Sequence, residues 1–283
     1  MAKNILCRIR WSKDKEDLSE ICRRIVKLKK LKKFLLILCL VLTSISCKAQ
    51  SKYYIDKLSS HKEIAKLYIT EGRYTDALKE LEFAQKTMEC DAETFNLLAT
   101  VYMAKRNFEK AEQALKEALK RDPSYSEAYT NYGTLRMLQE RYQEAIQYFE
   151  KALANPLYLN AHLAMTNMGW AYYQLGDKEK ALNTLYSAVR ENARATKALV
   201  YIALIYLHEG DLNSAEFYLK RVLRADRSSI EARYYLGEVF FRQGKIELAR
   251  EIWESVVQLY PGTEWGNLAE DRLYLLKRME HSK

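Results

Sequence analysis

The chain has 283 residues, 48% of them apolar, with three prolines, nine glycines and a formal net charge of +9. That content supports a packed core and excludes a disordered chain, a collagen-like repeat and a disulfide-rich miniature scaffold. The charge points to no nucleic-acid surface, because residues 1–47 hold twelve of the 46 basic and four of the 37 acidic residues, leaving the remainder close to neutral.

The first predicted element is an address. Lys27, Lys29, Lys30, Lys32 and Lys33 precede an apolar run from Phe34 to Leu42, and Ser44, Ile45 and Ser46 lead into Cys47. A positive segment, a short apolar core and small residues make a secretory signal, and the run is too short to span a bilayer, which takes about 20 residues. The approach to Cys47 resembles the lipobox of bacterial lipoproteins, with Ser44 where leucine is usual. The resemblance implies a lipid on Cys47, and Lys48 after it implies the periplasmic face of the outer membrane. The other reading is cleavage by an ordinary signal peptidase after Ser46 or Ala49, giving a soluble periplasmic or secreted protein. The stretch before the apolar core is long for a signal, which fits a translation start near Val26 or Leu28. Cys7, Cys22 and Cys39 leave with a leader of 1–47; with Cys47 lipidated, Cys90 has no partner for a disulfide.

After a short linker at 48–57, six alanines recur: Ala77, Ala111, Ala145, Ala181, Ala215 and Ala249, spaced 34, 34, 36, 34 and 34 residues apart. Twelve positions before each stands another small residue: Ala65, Ala99, Gly133, Gly169, Ala203 and Gly237. Two helices approach closely only where neither carries bulk at the crossing. Three residues after the first small site come Tyr68, Tyr102, Arg136, Tyr172, Tyr206 and Phe240, and four after the alanine come Leu81, Leu115, Phe149, Leu185, Leu219 and Trp253. These offsets draw the apolar stripe of amphipathic helices. Gly72, Gly176, Gly210 and Gly244 fall midway, where a left-handed residue ends the first helix, and Pro123 and Pro261 close two of the second helices. The period and pattern resemble the tetratricopeptide repeat. They predict an all-α, right-handed superhelix of six repeats (58–91, 92–125, 126–161, 162–195, 196–229 and 230–263). A capping helix follows at 264–283, carrying Trp265, Leu268, Leu273, Leu275 and Leu276.

The first helix of each repeat lines the concave face of such an array. In the first three repeats the inward positions are mostly polar: Ser59, Lys62 and Lys66, then Glu93, Asn96 and Thr100, then Glu127, Thr130 and Thr134, with Met103 and Met137 as exceptions. From the fourth repeat onward they become Leu163, Trp170, Tyr173, Val200, Leu204, Leu207, Tyr234 and Phe241. Together with Met137, these eight form the predicted partner groove for an amphipathic helix or extended segment of another protein. The alternative is that they pack within the superhelix, since 198–207 is apolar nearly all round. On the groove reading, glutamate at Trp170 and Leu204 abolishes capture without unfolding the array. The basic clamp of chaperone-tail readers is missing, because Leu163 and Glu231 flank Lys197. Catalytic spacing is missing as well. His61, His162, His208 and His281 are scattered, no nucleophile motif occurs, and the sequence calls for no enzyme activity, metal or cofactor.

Asn131-Tyr132-Gly133, Arg141-Tyr142-Gln143-Glu144-Ala145, Phe149-Glu150-Lys151-Ala152-Leu153 and Asn155-Pro156-Leu157-Tyr158 resemble the type IV pilus biogenesis lipoproteins, or pilotins. So does the two-residue expansion before Asn167-Met168-Gly169. The resemblance implies an outer-membrane lipoprotein that helps secretin subunits reach the membrane and assemble. Two departures stand against it: Leu159 replaces a frequent proline, and Met137 and Ala171 hold the positions of a frequent cysteine pair, so no bridge forms there. A cell-envelope adaptor that docks hydrolases or outer-membrane assembly machinery is the second reading. Oligomeric state stays open.

Overall fold

The computed structural model describes residues 57, 59–87 and 90–281. The leader, most of the linker and Cys47 lie outside the described residues. The chain divides into two compact parts, 1–64 and 65–283, and the helical pairs from Ala65 onward belong to the second. Among the described residues every element is a helix. The first, α1, spans 59–70, followed by α2 (Tyr74–Thr87), α3 (Ala92–Ala104), α4 (Phe108–Arg121), α5 (Ser126–Leu138), α6 (Tyr142–Leu153) and α7 (Ala161–Gln174). Then come α8 (Lys178–Glu191), α9 (Thr196–Glu209), α10 (Leu212–Ala225), α11 (Ile230–Arg242), α12 (Ile246–Leu259) and α13 (Glu264–His281).

From α3 to α11 each odd helix packs against the even helix that follows it, and from α2 to α12 each even helix packs against the next odd one. Connections of a few residues make neighbours antiparallel, so all odd helices run one way. Odd helices also touch one another, α3 with α5, α5 with α7, α7 with α9 and α11 with α13, while no two even helices do so to a comparable extent among the described residues. The odd helices therefore line the inside of the curve. This is the all-helical superhelix that the period predicts.

The small residues hold the pairs together. All six alanines of the even helices are fully buried, and Ala65, Ala99 and Ala203 on the odd helices are 0–1% exposed. Where the partner is leucine the odd helix carries alanine in three repeats; where it is Phe149 or Trp253 it carries glycine. A Cβ at Gly133 would stand 2.5 Å from Phe149 Cε1, and one at Gly237 would stand 2.5 Å from Trp253 Nε1. The fourth repeat pairs Gly169 with a leucine, and there a Cβ would stand 2.7 Å from Leu185 Cγ and 3.2 Å from the Ala181 carbonyl oxygen, so both the side chain and the backbone of α8 exclude it.

The turns repeat a device too. Gly72, Gly176, Gly210 and Gly244 take φ of 72–83°. The second and third repeats lack glycine there, yet Arg106 and Glu140 adopt φ of 56° and 60°, so the turn geometry overrides a local cost of about 1 kcal/mol. Asn107, Asp177 and Asp211 follow directly and cap the even helices, accepting from the backbone N–H of Lys110, Lys180 and Ser214 at 3.0–3.1 Å. At the opposite edge Asp122, Asn155, Asn192 and Asp226 each accept from the N–H two residues on at 2.9–3.0 Å, which shapes four even-to-odd loops alike.

Arg136 occupies the one middle-repeat position where the aromatic pattern fails. It is 5% exposed and spends its charge between repeats, its Nη1 donating to Glu112 of α4 at 3.1 Å and to Gln139 Oε1 at 2.7 Å. Tyr132 Oη and Lys116 Nζ also reach Glu112, at 3.0 and 2.9 Å. These partners, Arg136 first and Lys116 next, hold the Glu112 carboxyl down at about 2 against an ordinary 4.5. A depressed carboxylate pKa stabilises the fold above the unfolded value and loses that contribution as pH falls through the folded one. Glu112→Gln should therefore cost about 2 kcal/mol at neutral pH, after allowance for its partial exposure, and almost nothing near pH 2. Urea midpoints of both proteins between pH 7 and pH 2 will check this; parallel curves would refute it.

The last pair is closed by α13, whose Ala269 and Leu276 are 0% and 2% exposed against α11 and α12. No described helix is long and apolar enough to cross a membrane.

Candidate partner groove

The inside of the curve has two zones. In the first, hydrogen bonds join successive odd helices. Asn131 Nδ2 donates to Asn96 Oδ1 at 2.8 Å and to Thr100 Oγ1 at 3.2 Å, and Asn167 Nδ2 donates to Thr134 Oγ1 at 3.1 Å. Lys66 and Glu93 add an ion pair at 2.6 Å. Asn131 and Asn167 stand one repeat apart in the same register, and both are partly exposed.

At that register the next two repeats carry Tyr201 and Tyr235, and the second zone is aromatic. Trp170 stacks on Tyr201 with centroids 4.4 Å apart and planes 15° apart, and lies 5.3 Å from Tyr173. Tyr173 in turn stacks on His208 at 5.9 Å, and a hydrogen bond joins Tyr173 Oη to His208 Nδ1 at 2.9 Å. Tyr235 meets Trp265 of the cap edge-on at 5.5 Å. Charge enters at the rim, where Lys197 sits 5.3 Å over the Tyr201 ring. Burial raises the Glu231 carboxyl above its ordinary range, with Lys197 opposing. The same burial pushes the Tyr173, Tyr201 and Tyr235 hydroxyls up, so these rings stay neutral and donate.

The nine groove residues expected from the sequence separate into two groups. Leu163 is 48% exposed, and Trp170 and Tyr173 are partly exposed on the inner strip. Val200, Leu204, Leu207 and Tyr234 are 2–6% exposed and belong to one core cluster with Leu219 and Trp253. Phe241 leans on Trp253 with centroids 6.0 Å apart, and Met137 packs against the Phe149 and Tyr158 cluster. An odd helix inside an array touches an even helix on each side, so its apolar arc is wide and only a narrow strip stays open. That strip on α9 runs through Lys197, Tyr201 and His208, of which Tyr201 and His208 stand one residue after the expected Val200 and Leu207, while Leu204 is buried. The glutamate test at Leu204 must move, since a charge there would be buried and unfold the repeat; Leu163 replaces it. Tyr201, His208, Tyr235 and Trp265 were absent from the expected groove, although the series Asn131, Asn167, Tyr201 and Tyr235 keeps the repeat spacing.

The description tetratricopeptide repeat matches residues 96–157, 166–230 and, in a second form, 206–270. The chain belongs to the tetratricopeptide repeat family. Among relatives of this repeat protein is the photosystem I assembly protein Ycf3 of Prochlorococcus marinus strain NATL1A, 27% identical over 158 residues, which are 55% of this chain and 80% of the relative. Among solved structures, the type IV pilus biogenesis factor PilW superposes with a TM-score of 0.63 at 22% identity, over 75% of this chain and 97% of that one. PilF of Pseudomonas aeruginosa gives 0.60 at 18% identity, over 77% and 99%. At these identities the two structures share the tetratricopeptide superhelix. Tetratricopeptide arrays are in general scaffolds that bind proteins. Among the described residues no three His, Cys, Asp or Glu side chains gather to hold a metal.

Proposed function

We propose that this chain is an outer-membrane lipoprotein, anchored through Cys47, whose inner aromatic strip holds secretin subunits while the pore of a type IV pilus assembles. The observation that carries the reading is the strip itself. Trp170, Tyr173 and Tyr201 form a partly exposed, stacked aromatic surface beside a polar ladder. Aromatic anchors next to amide donors suit an apolar side chain and a peptide main chain arriving together. The pilus part of the proposal draws on the likeness of the Asn155-Pro156-Leu157-Tyr158 junction to the pilotins and of the leader to lipoprotein signals. Ycf3 and PilW, to which the chain is similar, are also assembly or biogenesis factors.

Deleting the gene should abolish detergent-resistant secretin multimers in envelope extracts and leave peptidoglycan turnover unchanged. The intact gene should restore the multimers, and a Cys47→Ser copy should restore them poorly. Persisting multimers would overturn the proposal, and altered peptidoglycan turnover would favour a hydrolase adaptor.

A further inference from the structure

The two edges of the array differ. At the edge formed by the odd-to-even turns most cations lie in ion pairs, such as Lys178 with Glu209 at 2.8 Å and Lys245 with Glu216 at 3.5 Å, while Lys105 bonds Thr75 and Arg106 lies over Phe108. At the even-to-odd edge, Arg190, Arg194, Arg224 and Arg227 are all exposed and none makes an ion pair among the described residues. Across 190–197 and 224–227 these four and Lys197 face two carboxylates, Glu191 and Asp226, and Asp226 is occupied by Ser228.

The loop between α6 and α7 lies on the same edge, next to the basic loop, since Asn192 and His162 are joined at 3.2 Å. It carries Leu157 and Leu159, 83% and 88% exposed, the two most exposed large apolar side chains among the described residues. They do not stand out because the loop is slack. Tyr158 between them is 7% exposed with its Oη 2.9 Å from Thr130 Oγ1, and Asn155 donates to Ser126 Oγ at 3.1 Å while accepting from the Leu157 N–H at 3.0 Å. The fold grips the loop through its middle residue and holds a leucine outward on each side.

We propose that this edge docks on an anionic phospholipid bilayer, with Leu157 and Leu159 entering the acyl boundary and Arg194, Arg224 and Arg227 lying over headgroup phosphates. Two protruding leucines need receiving space wherever they land, which a fluid hydrocarbon layer supplies and a protein surface supplies only through matched pockets. Unpaired arginines spread over neighbouring loops match a diffuse negative surface in the same way. Docking of this kind depends on these side chains alone, and on neither the lipid on Cys47 nor the secretin reading.

The test uses the full chain with vesicles of phosphatidylcholine alone and of phosphatidylcholine containing phosphatidylglycerol, read by amide hydrogen exchange. Exchange across 154–160 and 192–195 should slow on the anionic vesicles, with the turns at 139–141 and 175–177 unchanged. Leu157→Ser with Leu159→Ser, and separately Arg194→Gln with Arg227→Gln, should remove that protection without changing the thermal melt. Each arginine should be worth roughly fivefold in partitioning and each leucine about tenfold. Equal protection at both edges would mean that the leader alone holds the chain at the vesicle, which overturns the proposal. So would protection that survives the leucine changes. Loss of secretin capture by the leucine variants, with no response to vesicles, would assign the edge to a protein instead. Absence of vesicle protection with secretin capture intact overturns only the membrane proposal, whereas loss of capture in the leucine variants would also count against the inner strip as the secretin site.

Discussion

Trp253→Ala should lower the unfolding free energy by about 3–5 kcal/mol, the cost of deleting a fully buried indole from a core that cannot close over the gap. Trp253 is 1% exposed, lies directly over Gly237, and donates its Nε1–H to the Tyr234 carbonyl at 3.2 Å. Gly237→Ala tests the same joint from the other side. Alanine in a helix gains about 0.5–1 kcal/mol over glycine, but the new Cβ would meet three ring atoms at 2.5–2.9 Å, and overpacking of that kind costs about 1–3 kcal/mol. The clash wins because the ring is rigid and enclosed, so this variant is destabilised too. The pair Gly237→Ala with Trp253→Leu reproduces the alanine and leucine combination of the first, second and fifth repeats. It should be less destabilised than the sum of Gly237→Ala and Trp253→Leu by about 1–2 kcal/mol. Denaturant melts of the three variants measure that coupling, and simple additivity would refute size matching as the organising rule.

That rule explains why the fold was legible in the sequence while the groove was legible only in part. Helix crossings tolerate one geometry, so Ala77 and its five equivalents recur at a fixed period, and Gly133 and Gly237 follow from the bulk of Phe149 and Trp253. The left-handed turns at Arg106 and Glu140 carry no sequence mark, because the packing of the flanking helices imposes them, with a cap beside only the first, at Asn107. Arg136 looked like a gap in the aromatic series, and only the position of Glu112 on the preceding repeat shows what fills it. The groove depends on a finer quantity, the angle at which each odd helix faces the hollow. Apolar character does not report that angle when even helices flank both sides, so Val200, Leu204 and Leu207 resembled a groove and proved to be core. The open strip instead carries residues with mixed character, Tyr201, His208 and Tyr235, which a count of apolar positions passes over.

If the inner strip is where a partner binds, Trp170→Ala combined with Leu163→Ser should weaken capture of a purified secretin subunit by a hundredfold or more. A tryptophan near the centre of an interface typically contributes at least about 2 kcal/mol, roughly thirtyfold, and loss of a half-exposed leucine adds several-fold. The array should survive the change. Trp170 lies at the edge of the core and stacks on Tyr201, whose partly buried ring packs against two core clusters of its own, and Leu163 is 48% exposed. A melt within a few degrees of the parent would establish that. The control is Leu175→Ser, which removes a leucine of nearly equal exposure, 46%, from the turn between α7 and α8. It should leave capture unchanged. Equal weakening by the control would mean that apolar surface in general drives association, and unchanged capture in the double variant would move the site away from the strip. A graded result is also informative, because the polar ladder predicts a smaller loss for Asn167→Ala, whose amide supplies a hydrogen bond and no apolar anchor. An order of effect with Trp170 first, Leu163 next and Asn167 last is what an apolar segment seated on the aromatic zone, with its main chain running along the amides, requires.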